Sequence, residues 1–143
     1  HIDDRCVWSK SGKSIEFSEA KLTHLSTIKK YKKFDAHKKL RKEINNYFVE
    51  TISLEDMLIK FNAPKHIDFI SIDTEGSEYE ILKDFDFSNY SFSILLIEHN
   101  FTSLRDKINH LLTKNGYHRV MQDISYVDDW YISSTIMKNK FLT

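Results

Sequence analysis

The stretch that most constrains this chain is Ile67-Asp68-Phe69-Ile70-Ser71-Ile72, which runs without a break into Asp73-Thr74-Glu75-Gly76. Its apolar content and shortness suit a strand buried in a parallel sheet. Gly76 then removes a side chain where the backbone must turn, and a helix is expected from Ser77 with Ile81, Leu82 and Phe85 on one face. A buried strand that ends in charge, followed at once by a helix, is the local signature of an open α/β sheet.

The flanking segments extend that pattern. Upstream, Tyr47 to Thr51 reads as a short strand, and Ser53-Leu54-Glu55-Asp56 as a helix start in which the serine caps and the acid three residues on answers it. That helix should stop before Pro64. Downstream, Phe92 to Ile97 is a second apolar strand ending in Glu98-His99-Asn100. Thr102 or Ser103 is expected to cap a further helix, with Leu104, Ile108, Leu111 and Leu112 on its inner face and Gly116 closing it. Tyr117 to Asp123 and Asp129 to Ser134 should form an antiparallel pair. Nearer the start, Arg5 to Ser9 and Ser14 to Ser18 read as strands of a hairpin turning at Lys10-Ser11-Gly12-Lys13. Residues 19–46 are expected to be loop and irregular helix. Strand, helix, strand, helix and a closing pair imply one open, mostly parallel α/β sheet with right-handed crossovers and a C-terminal antiparallel hairpin, in a single domain over residues 1–143.

Composition limits the function classes. With 143 residues, 41% hydrophobic and 13% aromatic, the chain can bury a core. No run approaches the roughly 20 apolar residues that span a bilayer, so no membrane insertion is expected. The single cysteine, Cys6, excludes an intramolecular disulfide framework and fits a reducing compartment, with the cytoplasm as the default expectation. Charge sums to zero but is uneven: residues 29–42 carry 8 of the 21 lysines and arginines and one acid, Asp35. That stretch reads as a solvated helix and loop, with binding of an anionic partner as the alternative, and without a base-stacking motif it gives no reason to expect nucleic-acid binding.

In open α/β sheets ligands gather at the carboxyl ends of the strands. Two polar clusters fall there, Asp73-Thr74-Glu75-Gly76 and Glu98-His99-Asn100. Asp73 and Glu75 could simply cap the following helix, yet a carboxylate closing a buried strand is costly unless something pairs with it. The functional roles open to them are binding a substrate hydroxyl, acting as a base, or holding a divalent cation. Glu98 and His99 share the two readings, with His99 the better proton acceptor near neutral pH. Two carboxylates and an imidazole meet the minimum for a metal site, but the spacing is unspecific and no metal ligand set is assigned. Cys6 reads as a small buried hydrophobe rather than a nucleophile. No phosphate-binding glycine loop and no Gly-x-Ser-x-Gly occurs.

The segments Val49 to Leu58 and Ile67 to Lys83 closely resemble the FkbM-type methyltransferases, with Ser71 standing where that family carries lysine. Cys6-Val7-Trp8-Ser9-Lys10-Ser11-Gly12 resembles the family's upstream hairpin, and Ile94 to Glu98 its next strand and terminal glutamate. The resemblance covers residues 5 to about 134. It implies a partial Rossmann-like class I methyltransferase sheet in which Asp73 ends the fourth strand and Glu98 the fifth. It further implies S-adenosylmethionine as cofactor, a small-molecule or sugar hydroxyl as acceptor, Asp73, Glu75, Glu98 and His99 as the catalytic set, and Asp73 and Thr74 beside the cofactor, with Cys6 near its adenine by analogy. The family's glycine-rich first strand and the acid ending its second have no counterpart here, so both are expected to precede residue 1. The chain alone should then bind the cofactor weakly or not at all, and the fourth-strand edge along Ile67 to Ile72 should recruit a second copy or be covered by a rearranged N-terminal segment. The alternatives are a catalytically silent binding or assembly domain and, ranked last, a metal-dependent glycosyl- or phosphoryl-transfer enzyme.

Overall fold

A computed structural model describes residues 1–33, 39 and 43–140. The elements are β1 (Cys6–Trp8), β2 (Ser14–Ala20), β3 (Thr27–Ile28), β4 (Glu43–Ser53), α1 (Leu54–Lys60), β5 (His66–Ile72), α2 (Glu78–Leu82), β6 (Ser91–Glu98), α3 (Arg105–Lys114), β7 (Tyr117–Val120), β8 (Asp128–Ser133) and α4 (Ser134–Lys140). The α/β class and the order of elements from β4 to β8 follow the sequence pattern. The single, mostly parallel sheet does not: the strands form two mixed sheets, ordered β1-β4-β2-β3 and β5-β6-β8-β7. Among the described residues only β1–β4 and β5–β6 run parallel, while β2–β3, β2–β4, β6–β8 and β7–β8 are antiparallel. A parallel pair needs a crossover of a dozen residues or so. The segment carrying α2 supplies one between β5 and β6, whereas α1 leads from a strand of one sheet to a strand of the other.

The expected hairpin over residues 5–18 is also replaced. Strand β4 lies between β1 and β2, and the turn at Lys10 to Lys13 closes on Thr51. Gly12 N donates to Thr51 O (2.9 Å), Thr51 N to Lys13 O (2.8 Å), Lys13 N to Thr51 Oγ1 (3.0 Å) and Thr51 Oγ1 to Lys10 O (2.6 Å). Hydrogen bonds that a hairpin would close internally are thus given to β4. The same turn starts α1. The Ser53 side chain caps Asp56 N at 3.1 Å, but the reciprocal bond runs through Ser11, whose hydroxyl accepts from Ser53 N (2.8 Å) and donates to Asp56 Oδ2.

Smaller departures have local causes. Residues 19–33 hold the end of β2, β3 and two single 3-10 turns, Thr23–Leu25 and Lys29–Tyr31; of the basic stretch, residues 34–38 and 40–42 lie outside the described residues. The N-cap of α3 is Leu104 without a side-chain bond, because Thr102 belongs to a preceding turn, donating its N–H to His99 O (2.7 Å). Met121, at φ 57°, ends β7 three residues early. The closing helix α4 was not anticipated.

The main core is centred on β6. Phe92, Leu95 and Ile97 pack with Tyr131 of β8, Leu82 of α2 and Leu112 of α3, all fully buried. Leu54 belongs to this core, with Val7, Met57 and Leu58 packed against it, so residues of both sheets share one interior. Strand β5 is not buried as expected. It is an edge: Ile72 is buried, Ile67 and Ile70 are half-buried, and Phe69 is 49% exposed. Among the described residues no helix is long and apolar enough to cross a membrane.

Candidate functional site

Asp73 is the first residue after β5 and Glu98 the last of β6. The register sets Ile72 against Ile97, so the two carboxylates leave neighbouring parallel strands at the same level. Glu75 joins them: one oxygen from each of Asp73, Glu75 and Glu98 lies within 4.8 Å of the others, with Asp73 exposed and both glutamates buried. The next strand adds a fourth acid, because Asp128 pairs with Glu98 across β8. Burial, then repulsion from Asp73, Glu75 and Glu78, pushes the Glu98 carboxyl up to about 9, with a hydrogen bond to Asp73 in the same direction. Like charges this close cannot all ionise, so Glu98 holds a proton at neutral pH. Burial and the neighbouring Asp73 likewise raise Asp128.

The turn that presents these groups is built from its own residues. Glu78 Oε1 accepts from Thr74 N, Thr74 Oγ1 and Gly76 N, each at 3.0 Å, and Ser77 Oγ donates to Thr74 Oγ1 at 2.8 Å. Glu78 is therefore committed to closing the loop. Glu75 sits at φ 56° and Gly76 at φ 112°, conformations that cost an L residue energy and persist when the surroundings hold them. What holds them is the 27–31 segment. Thr27 Oγ1 donates to Glu75 O at 2.9 Å, and a Cβ on Gly76 would stand 3.2 Å from Tyr31 Cβ. Tyr31 is buried, and its hydroxyl is pushed up to about 12 by that burial and by Glu80 and Glu78.

His99 is placed differently from the carboxylates. Its Nδ1 accepts from Phe101 N at 3.1 Å, which leaves the proton of the neutral ring on Nε2, 3.8 Å from Asp129 Oδ1. Burial holds the imidazole below its ordinary pKa, against the attraction of Asp129. Asp129 is itself clamped by Arg105, through Nε (2.9 Å) and Nη2 (2.7 Å), and by Arg119 (3.4 Å). The histidine thus packs into an arginine–aspartate cluster beside the acidic group.

Asn100 completes the site and carried no distinct role in the sequence reading. It is 2% exposed, sits at φ 41°, and places Nδ2 3.5 Å from Glu75 Oε2. Among the described residues its Oδ1 is buried without a hydrogen-bond partner. Beyond it an aromatic lip emerges: Phe101, 57% exposed, stacks edge-on against Tyr126 with centroids 5.5 Å apart. No periodicity marks that lip, since both rings lie in loops.

A cavity of about 170 Å³ opens beside the turn, lined by Val7, Met57, Ile70, Asp73, Thr74 and others. It brings Asp73 and Thr74 together but not Cys6, which lines a separate cavity with Arg5, Phe17 and Tyr47. The alternation of β1 explains this, because Cys6 and Val7 point to opposite faces. Burial raises the Cys6 thiol above its usual pKa, as suits a packed cysteine. Ligand pockets for drug-sized molecules run from about 300 to 1,000 Å³. The cavity at the turn accommodates part of a nucleoside-sized molecule and not the whole.

A family model described as Methyltransferase FkbM domain matches residues 4–119, which include Asp73, Glu75, Glu98 and Asn100. No curated protein and no solved structure matches the chain.

Proposed function

The chain belongs to the FkbM methyltransferase domain family, and from that premise we propose that it forms the acceptor side of an S-adenosylmethionine-dependent O-methyltransferase acting on a small-molecule or sugar hydroxyl. The observation that carries this reading is the meeting of Asp73, Glu75 and Glu98 at the carboxyl ends of neighbouring parallel strands, within 4.8 Å of one another. Carboxylates in that position accept hydrogen bonds from a hydroxyl, orient it and take its proton. Exposed Asp73 is the proton acceptor, and Glu98, protonated and bonded to it, holds the one proton the pair already carries. His99 acts as a positioning residue, anchoring the Asn100–Phe101 turn through its Nδ1. Phe101 and Tyr126 offer a ring face against which a sugar or other cyclic acceptor stacks.

S-adenosylmethionine, which the family implies, would supply an electrophilic methyl carbon. The 170 Å³ cavity does not fit the whole cofactor, so we propose that this chain alone binds it weakly and is inactive. Strands β1 and β5 support that reading, since each is the outermost strand of its sheet and both line this cavity. The compartment we expect is the cytoplasm. The small cavity also favours the alternative of a non-catalytic assembly domain, and one assay separates the two. With the product of the whole open reading frame and radiolabelled methyl donor, transfer to hydroxyl acceptors is expected, and Asp73→Asn should lower it about 10²- to 10⁴-fold. Undiminished transfer by that variant would overturn the assignment of Asp73, and no transfer to any hydroxyl would favour the assembly reading.

A further inference from the structure

We propose that the cavity between β1, β2 and the Ile28–Lys30 segment binds an acidic monosaccharide, with its ring against Trp8 and its carboxylate or phosphate at Lys30.

This cavity holds about 440 Å³ and is lined by Trp8, Ile15, Glu16, Ile28, Lys29 and Lys30. Small-molecule pockets run from about 300 to 1,000 Å³ and pair an apolar lining with a few placed polar groups. The apolar part here is Trp8 and Ile15, both half-buried, with buried Ile28. Strand pairing assembles it: β3 sets Ile28 against Phe17, which lies two residues along from Ile15 on the same face of β2.

The charged groups select the ligand. Among the described residues lining the cavity Glu16 is the one acid, and Lys29 neutralises it, with Nζ 2.6 Å from Oε1. The lining therefore carries the net positive charge of Lys30. Lys30 Nζ stands 5.1 Å from the Tyr31 ring centroid, an attraction that keeps the ammonium beside the cavity. Lys29 to Lys33 holds four lysines and no acid, a field that draws anions. An ammonium at the rim meets a carboxylate or phosphate as a point charge, and the flat indole of Trp8 offers area to the C–H face of a sugar ring.

The segment that lines the cavity also holds the carboxylate turn. Thr27, just before Ile28, donates to Glu75 O at 2.9 Å. Tyr31, just after Lys30, stands against Gly76, and its ring centroid lies 6.2 Å from that of Trp8. Tyr31 thus meets the aromatic wall of the cavity on one side and the turn on the other. The acids at the turn repel an anionic acceptor, and the neighbouring lysines offset that repulsion. That the bound sugar is the methyl acceptor rests on the methyl-transfer reading; the binding site itself does not.

The chain has two tryptophans, so one of them serves as an internal control. The indole N–H resonances of Trp8 and Trp130 are followed while glucuronate, glucose 6-phosphate or glucose is added up to tens of millimolar. One or both acids should shift Trp8 saturably and leave Trp130, on β8 of the other sheet, unmoved. Which acid acts distinguishes a carboxylate ligand from a phosphate. Glucose should bind at least about 10-fold more weakly, the effect of one hydrogen bond to a charged group. Lys30→Gln should bring the acids down to the level of glucose, whereas Lys30→Arg should retain them. Lys30 is exposed, and the comparison with glucose in the wild-type protein depends on no variant. No saturable shift of Trp8 with either acid, or equal affinity for glucose, overturns the proposal and leaves methyl transfer to other hydroxyls untouched. Binding of an acidic sugar by the product of the whole open reading frame, without methyl transfer to it, would instead remove its role as acceptor alone.

Discussion

Gly76 concentrates the site's demands in one residue. Its φ of 112° strains any side chain, and the 3.2 Å approach to Tyr31 Cβ would force the two apart by a few tenths of an ångström. Gly76→Ala is therefore expected to destabilise the protein by about 1–3 kcal/mol, read as a lower denaturation midpoint with an unchanged slope; an unchanged midpoint would mean the 27–31 segment moves aside freely. Asp129 sets a second test at the same scale. Burial opposes its ionisation, but the bonds and charge of Arg105, with His99 and Arg119, hold its pKa below the ordinary carboxylate value. A carboxylate depressed in the folded state adds stability above its unfolded pKa of about 3.9, and that stability is lost as pH falls through the folded value. Arg105→Ala should accordingly cost about 1.5–3 kcal/mol near neutral pH. The gap from wild type should narrow below about pH 4. A gap that stays constant down to pH 2 would show that packing rather than charge is lost.

At the scale of elements, α1 depends on a residue from a distant turn. Ser11 accepts from Ser53 N and donates to Asp56, and so completes a cap that Ser53 and Asp56 form alone in the expected motif. Ser11→Ala should cost about 1 kcal/mol, and a double-mutant cycle with Asp56→Ala should show the two effects to be coupled rather than additive. The helix start was legible in the residues themselves because caps are local. That Ser11 would serve it was not, since 42 residues separate Ser11 from Ser53 and only the wrapping of the turn around Thr51 brings them together.

The molecule as a whole is shaped by where its sheets end. Strand β5 has β6 on one side and, among the described residues, no strand on the other. Phe69 stands 49% exposed on it, 6.3 Å from Trp130. Uncovered edges pair with other chains, so sedimentation should show concentration-dependent dimers that Phe69→Lys or a proline in β5 disperses. A strict monomer at millimolar concentration would show that the edge is protected by other means.

What the residues determined by themselves was local: the apolar runs that become β5 and β6, the helix start at Ser53, the glycine turn at Gly76, and the placing of Asp73 and Glu98 at strand ends. Each follows from periodicity or capping within a few positions. Tertiary structure decided the rest. Strand pairing turns on hydrogen bonds between distant segments, so β4 parts β1 from β2 and two mixed sheets replace one parallel sheet. The site divides in the same way. Its acids could be read from the chain, but the burial of Glu98 beside Asp73 and Glu75, the turning of His99 toward Asp129, and the unsatisfied amide oxygen of Asn100 depend on which groups three-dimensional packing sets face to face.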